Sequence, residues 1–490
     1  MGQKYILSID QSTQGTKALL FDRNGVLTAR TDIPHQQIVN EYGWVSHNLN
    51  EIYRNTVQAV KNLVEKTGVS RGDILGLGIS NQRETAAVWS RSSGEPVADA
   101  IVWQCSRAKD VCSAIEQLGH AELVREKTGI NLSPYFPASK FAWILQNIEA
   151  AKLHRNDMMF GTIDTWLIYK LTKHVMYKTD YSNASRTQLY DISRLKWSEE
   201  VCGLFGIDMS ELAEVCDSND VFGETDFDGY FEHPIPIAGV LGDSHGALFG
   251  QGCLTKGMIK TTFGTGSSVM MNIGETPIFS KHGVVTSLAW GMDGKVNYVL
   301  EGNINYTGAV ITWLQNDVKA IGSAKETESL AFSANPEDTT YLVPAFTGLG
   351  APYWHSTAKA MICGISRTTG QAELAKAALE CIAYQITDVI EAMRQDAGIE
   401  IKELRVDGGP TRNGYLMQFQ SDMACIPVLV PDAEELSGIG AAYMAGISLG
   451  LYDKKVFDVI NRKMYRPEMS AGLRQMKYRG WKEAIRLVIQ

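Results

Sequence analysis

The residues best suited to chemistry lie in short polar segments that close apolar runs. Asp243 follows the run Ile235 to Leu241 through Gly242 and leads into Ser244-His245-Gly246-Ala247. An Asp there is either the N-cap of the next helix or a general base at a strand's carboxyl end, where open α/β sheets bind ligands. His245 reads as a helix residue. Arg83-Glu84 closes the run Ile74 to Ser80. Such a donor and acceptor side by side either face solvent or hold neighbouring hydroxyls of a polyol. Trp103 and Tyr135 stand at segment ends, where a ring fills a core or covers the C–H face of a carbohydrate.

Three hydroxyl- and glycine-rich turns follow strand-like runs: Asp10-Gln11-Ser12-Thr13, Gly264-Thr265-Gly266 and Asp407-Gly408-Gly409. Glycine lets backbone approach a phosphate, and N–H groups with Thr hydroxyls bond its oxygens. Each alone is an ordinary turn; together they fit a nucleotide held between two domains. There is no P-loop, and Gly264-Thr265-Gly266-Ser267-Ser268-Val269 lacks the third glycine of a dinucleotide fingerprint. No His, Cys and carboxylate cluster has metal-ligand spacing.

These segments need strands and helices to position them. Tyr5 to Ile9 predicts a strand, Asp10 to Thr16 a turn, Lys17 to Asp22 a second strand, and Asn24-Gly25 a tight hairpin turn. A helix is expected around Asn50 to Lys66 and a strand over Ile74 to Ser80. The grammar returns later, with a strand over Met258 to Thr262 and another over Leu404 to Val406. A helix over Gln371 to Gln395 sets Leu374, Ala378, Ile382, Ile386 and Val389 on one face. Strands alternating with helices imply an α/β fold. The seam falls near Phe249-Gly250-Gln251-Gly252, giving halves 1–249 and 250–490.

The chain has 490 residues, enough for two large α/β domains. Its 46 Lys and Arg against 55 Asp and Glu give a net charge of -9, which argues against partners such as nucleic acid or an anionic membrane. No apolar run approaches the roughly 20 residues of a membrane span. The start Met1-Gly2-Gln3-Lys4-Tyr5 enters a strand at once, leaving no room for a leader. The eight cysteines form no Cys-x-x-Cys pair and read as reduced thiols of a cytoplasmic protein.

Several longer stretches resemble the FGGY carbohydrate kinases, and among them the glycerol kinases, nearly end to end. They include Asn81-Gln82-Arg83-Glu84-Thr85, Asp164-Thr165-Trp166-Leu167-Ile168, Thr179 to Thr187, Val343 to Trp354, and Leu416 to Asp422. The family signatures are recognisable at Tyr135 to Asn147 and Ala360 to Glu380. The resemblance implies two actin-like (ribonuclease H-like) domains with the active site in the cleft between them, and ATP-dependent phosphorylation of a small polyol or sugar. It implies that Asp243 is the catalytic base and that Asp10 holds Mg²⁺. It puts Thr13, Lys17 and Thr265 at the phosphates, and Gly308, Gly409 and Asn413 at the nucleotide. It puts Arg83, Glu84, Trp103, Tyr135, Ser244 and Ser268 around the substrate. A homo-oligomer, dimer or tetramer, is also expected.

This chain departs from the glycerol kinase pattern at the pocket. Ser244-His245 stands where two Gln are usual, and Ser268 where a Phe is usual. Lys17 replaces an Arg, Thr312 a Gln, and Pro410-Thr411-Arg412 is unlike the usual run. An alternative substrate is therefore a longer polyol or a ketose such as erythritol, xylulose or ribulose. A non-catalytic nucleotide sensor is a further alternative, against which Asp10 and Asp243 both stand.

Overall fold

The computed structural model describes residues 3–490; Met1 and Gly2, where the leader-free start was read, lie outside them. Strand β1 (Tyr5–Gln11) is apolar and β-branched, and is buried for most of its length. It pairs antiparallel with β2 (Gly15–Phe21), setting Asp10 opposite Lys17. The turn between them is narrower than expected: it spans 12–14, closed by the Ser12 N–H on the Gly15 carbonyl at 2.9 Å. Gly25, with φ 80°, makes the tight turn into β3 (Leu27–Pro34).

Helix α1 (Leu49–Thr67) starts where Asn48 accepts from the Glu51 N–H and stops at Gly68, whose φ of 66° ends the helix. It packs on β2 and β3. Strands β4 (Ile74–Asn81) and β5 (Ile235–Gly242) add to β1 in parallel, each after a crossover. With the short strand Glu224–Thr225 they complete a 6-stranded sheet.

The second half repeats the plan. Strands β6 (Ile259–Phe263) and β7 (Ser267–Gly274) form a hairpin, and β9 (Lys295–Ile304) pairs antiparallel with β7. Strands β10 (Leu404–Asp407) and β11 (Val428–Pro431) add in parallel beside β6. The outer strands β8 (Val285–Met292) and β12 (Arg462–Tyr465) extend this to a 7-stranded sheet. Two hairpin strands followed by two parallel ones, used twice, is the actin-like arrangement the resemblance implies.

Helices fill the space around both sheets: α2 (Pro137–Asn147), α3 (Ile163–Leu171), α4 (Asp243–Gly250), α5 (Gly308–Asn316), α6 (Gln371–Ala397), α7 (Gly414–Ala424), α8 (Leu436–Ser448) and α9 (Ala471–Ile489). The periodicity of α6 predicted one apolar face; every residue from 375 to 390 is buried, because the helix is enclosed by α7, α5 and β7. Helix α8 leaves its own sheet and lies across β1, β4 and β5 of the first. There Ser8 donates to the Gly438 carbonyl at 2.9 Å and Tyr443 to the Gly25 carbonyl at 3.1 Å. It also touches α4 backbone to backbone: a Cβ at Gly440 would collide with the Gly246 carbonyl. A core containing Ile6, Leu19, Leu248, Phe249, Tyr443 and Phe457 is thus shared by both halves.

Candidate active site

Every strand end named by the sequence opens toward one cleft. At the first sheet, Asp10 ends β1 and Lys17 lies opposite it on β2. Lys17 Nζ is 2.6 Å from Glu435 and 3.7 Å from Asp10. Burial dominates at Asp10 and, with Glu435 and Asp243 adding to it against the pull of Lys17, raises that carboxyl to about 6. Lys17 is pulled down by burial but raised more by the two carboxylates. Glu435, buried and also paired with Arg30, carried no sequence signal because it lies more than 400 residues away along the chain.

Thr13 sits on the hairpin tip. Its hydroxyl accepts from the Trp103 indole at 2.9 Å, which leaves the hydroxyl proton free. The Trp103 ring stands 5.6 Å from that of Tyr135, at 57°. Tyr135 is held by Lys140 of α2, whose buried ammonium donates to the Tyr135 and Glu84 carbonyls and is lowered to about 7 by burial.

Arg83 and Glu84 are not solvated: they are 5% and 2% exposed. Glu84 adopts φ 59°, a left-handed conformation unusual outside glycine. Its carboxylate takes the Nε of Arg186 at 2.5 Å. Arg83 donates through both terminal nitrogens to Glu301 of the second sheet, at 3.1 and 2.9 Å. Burial would raise Glu301, but Arg186 and Arg83 outweigh it and hold it far below the carboxylate range. The Arg83 Nε faces Asp243 Oδ1 at 3.2 Å.

Asp243 is the first residue of α4, with Gly242 as the N-cap, so the capping role open in the sequence does not apply. Its Oδ1 accepts from the Ser244 N–H at 2.6 Å, and its side chain is 38% exposed. His245 is fully buried beneath Arg83; burial first, then Arg83, keeps it neutral.

The second sheet supplies the other wall. Gly264-Thr265-Gly266 joins β6 to β7, and the Thr265 carbonyl accepts from Thr307 and Ala309 at 2.9 and 3.1 Å. This leaves the exposed Thr265 hydroxyl beside the start of α5. Gly308 opens that helix, and a Cβ there would lie 2.7 Å from the Gly264 carbonyl. Gly308, Gly409 and Asn413 line one cavity of about 580 Å³ with Thr312, Leu379 and Ile382. Asn413 caps α7 through the Leu416 N–H at 2.9 Å and donates to Thr327 at 3.1 Å. Ser268, on β7, lies on the face that carries Asn303 and Glu301 of β9. Its hydroxyl is buried without a hydrogen-bond partner. Trp290 and Tyr306, the rings able to fill its surroundings, are packed instead on Phe249 and Phe346.

Lys260, buried on β6, donates to Thr262 at 2.8 Å; burial lowers it and Arg83 adds to the fall, while Asp407, Glu301 and Asp243 act against it. The sequence assigned no role to Lys260 or to the Arg186–Glu301 pair: Lys260 and Glu301 lie inside strands, and Arg186 lies in a turn far along the chain from its partner. Among the described residues no group of three or more His, Cys, Asp or Glu side chains can hold a metal by itself. Asp10, a buried hard-oxygen carboxylate within the field of Asp243, suits an ion such as Mg²⁺ that keeps few protein ligands and shares substrate phosphates.

Comparison with known proteins agrees with this geometry. Residues 5–250 match the N-terminal domain model, and residues 259–449 the C-terminal domain model, of the FGGY family of carbohydrate kinases. The chain is 46% identical over 490 residues to glycerol kinase 1 of Thermotoga maritima, covering 99% of both chains. It is 42% identical to the glycerol kinase of Bacillus licheniformis, covering 99% of this chain and 98% of that one. The solved glycerol kinase of Plasmodium falciparum with ADP superposes with TM-score 0.94 at 33% identity, covering 100% of this chain and 99% of that one.

Proposed function

Because the chain belongs to the FGGY family of carbohydrate kinases, we propose that it transfers the γ-phosphoryl group of ATP to a terminal hydroxyl of glycerol. In this reading residues 1–249 bind the polyol and supply the base, and residues 250–490 bind the nucleotide. The observation that carries it is the pairing of a half-exposed Asp243, held beside a buried arginine, with a glycine-lined cavity across the cleft.

Asp243 takes the hydroxyl proton as that oxygen forms a bond to the γ-phosphorus. The bond from phosphorus to the β-bridging oxygen breaks, and ADP leaves. Trp103 and Tyr135 cover the C–H face of the polyol, while Arg83, Glu84 and Ser244 orient its hydroxyls. Lys17, Thr13 and Thr265 meet the phosphates. Gly308, Gly409 and Asn413 seat the nucleoside. Asp10 would hold Mg²⁺, which supplies charge neutralisation at the phosphates when bound. Cytoplasmic residence fits cysteines that are all free among the described residues. Assembly into a dimer or tetramer belongs to the same reading and is checked by light scattering.

The unpartnered Ser268 hydroxyl favours a second reading, in which a four- or five-carbon polyol or ketose fills the space left by the absent ring. An added carbon and a satisfied hydroxyl are worth about 1–3 kcal/mol each. The test is kcat/KM for glycerol, erythritol, xylulose and ribulose in the wild type and Ser268→Phe. A preference for glycerol of tenfold or more, unimproved in Ser268→Phe, supports glycerol; a preference for erythritol or a ketose that Ser268→Phe reverses supports the second reading.

A further inference from the structure

We propose that Glu301 is a positioning residue for phosphoryl transfer: it takes the end-on fork of Arg83 and so fixes the guanidinium with its Nε, and not that fork, toward Asp243. The inference rests on the reading of Asp243 as the base. A free guanidinium beside a carboxylate pairs with it through two parallel N–H bonds, covering both oxygens. Here both terminal nitrogens of Arg83 are already bound to Glu301, at 3.1 and 2.9 Å. Only Nε remains. It is buried, it makes no hydrogen bond, and it lies 3.2 Å from Asp243 Oδ1. One edge of the base is thus held near a cation while the other stays open to a hydroxyl.

Glu301 is itself fixed. It is fully buried, Arg186 reaches its Oε2 at 2.9 Å, and Asn303 donates to its Oε1 at 3.2 Å. The geometry also crosses the molecule. Arg83, Arg186 and Asp243 belong to the first half, whereas Glu301 lies on β9, the strand that leads to Gly308 and the nucleotide cavity. The second sheet therefore sets the orientation of a base carried by the first.

The experiment compares Glu301→Gln, Glu301→Asp and Asp243→Asn with the wild type, measuring kcat and the KM for ATP with glycerol or the best polyol found. Glu301→Gln keeps the shape and loses the charge. Glu301→Asp keeps the charge, so the buried arginines stay compensated and the fold is preserved, but it is too short to hold both nitrogens. The expected result is a fall in kcat of about 10²-fold in Glu301→Gln and about tenfold in Glu301→Asp, with the KM for ATP unchanged within twofold. A purely structural role would disturb β9 and raise the KM for ATP along with the fall in kcat, and that result would overturn the proposal. Loss of activity in Asp243→Asn with wild-type kcat in both Glu301 variants would overturn it alone. Near-normal turnover in Asp243→Asn would overturn the base assignment and this proposal with it.

Discussion

The two halves share one strand order and load it in opposite ways. At the ends of the first sheet stand Asp10, Lys17, Arg83, Glu84 and Asp243, charged and mostly buried. At the matching ends of the second stand Gly264, Gly266, Gly408 and Gly409, which present backbone rather than side chain, beside the buried Asp407. Gly408, at φ 98°, sits so close to the Phe263 carbonyl that a Cβ would collide with it. In the proposed reading the difference follows from the task. Moving a proton and orienting hydroxyls require fixed charges taken out of water, whereas seating a phosphate chain requires N–H groups and no side-chain bulk.

The contrast is sharpest at Asp243. Asp243→Asn should lower kcat by about 10²–10⁴-fold with nucleotide affinity retained, read by steady-state turnover and titration with ADP. Equal losses in both would place the residue in the nucleotide site instead.

Buried charge should also make the first half sensitive to pH. His47, fully buried and hydrogen-bonded by Gln82 at 3.3 Å, is lowered from 6.5 to about 4 by burial, with His35 adding to the shift. The unfolded chain binds this proton first. The stability His47 contributes is therefore present above pH 6.5 and lost as pH falls toward 4, by on the order of 3 kcal/mol. Asp10, raised to about 6, and Asp164, raised to about 7, act in the other direction, because their folded forms hold protons more tightly. The effect is thus read as the difference between wild type and His47→Gln in urea unfolding from pH 7 to 4. Parallel curves would remove His47 from the account.

On the second half, Gly308→Ala should press on the Gly264 carbonyl and cost about 1–3 kcal/mol of overpacking. The expected reading is a KM for ATP raised about tenfold with the KM for polyol unchanged. The smallest effect belongs to Trp103→Phe, which keeps a ring against Tyr135 and loses the bond to Thr13. A loss of about 0.5–1 kcal/mol corresponds to a roughly two- to fivefold fall in kcat/KM.

Much of this frame was legible in the sequence because it is local. The run Tyr5 to Ile9, the Asn24-Gly25 turn and the strand from Ile74 follow from residue type alone, and the two strands lead to Asp10 and Arg83 at the cleft. The resemblance to FGGY kinases added the pairing of halves, which the family models bear out. What stayed hidden is long-range. Lys260 falls inside the strand read over Met258 to Thr262, and nothing local sets Glu301 or Glu435 apart. Their charge has meaning only once another element brings a cation or carboxylate to them. The two-sided burial of α6 was equally out of reach, because periodicity reports the first apolar face and not the second.

The path of α8 bears on how this chain can be cut. A fragment of residues 1–249 would carry β1, β4 and β5 without the helix that covers them, leaving Ser8 and the Gly25 carbonyl without their partners Gly438 and Tyr443. The complementary piece would carry α8 with its apolar side bare. Neither piece is expected to be monomeric and soluble alone, yet mixed together they should reassemble, each supplying what the other lacks.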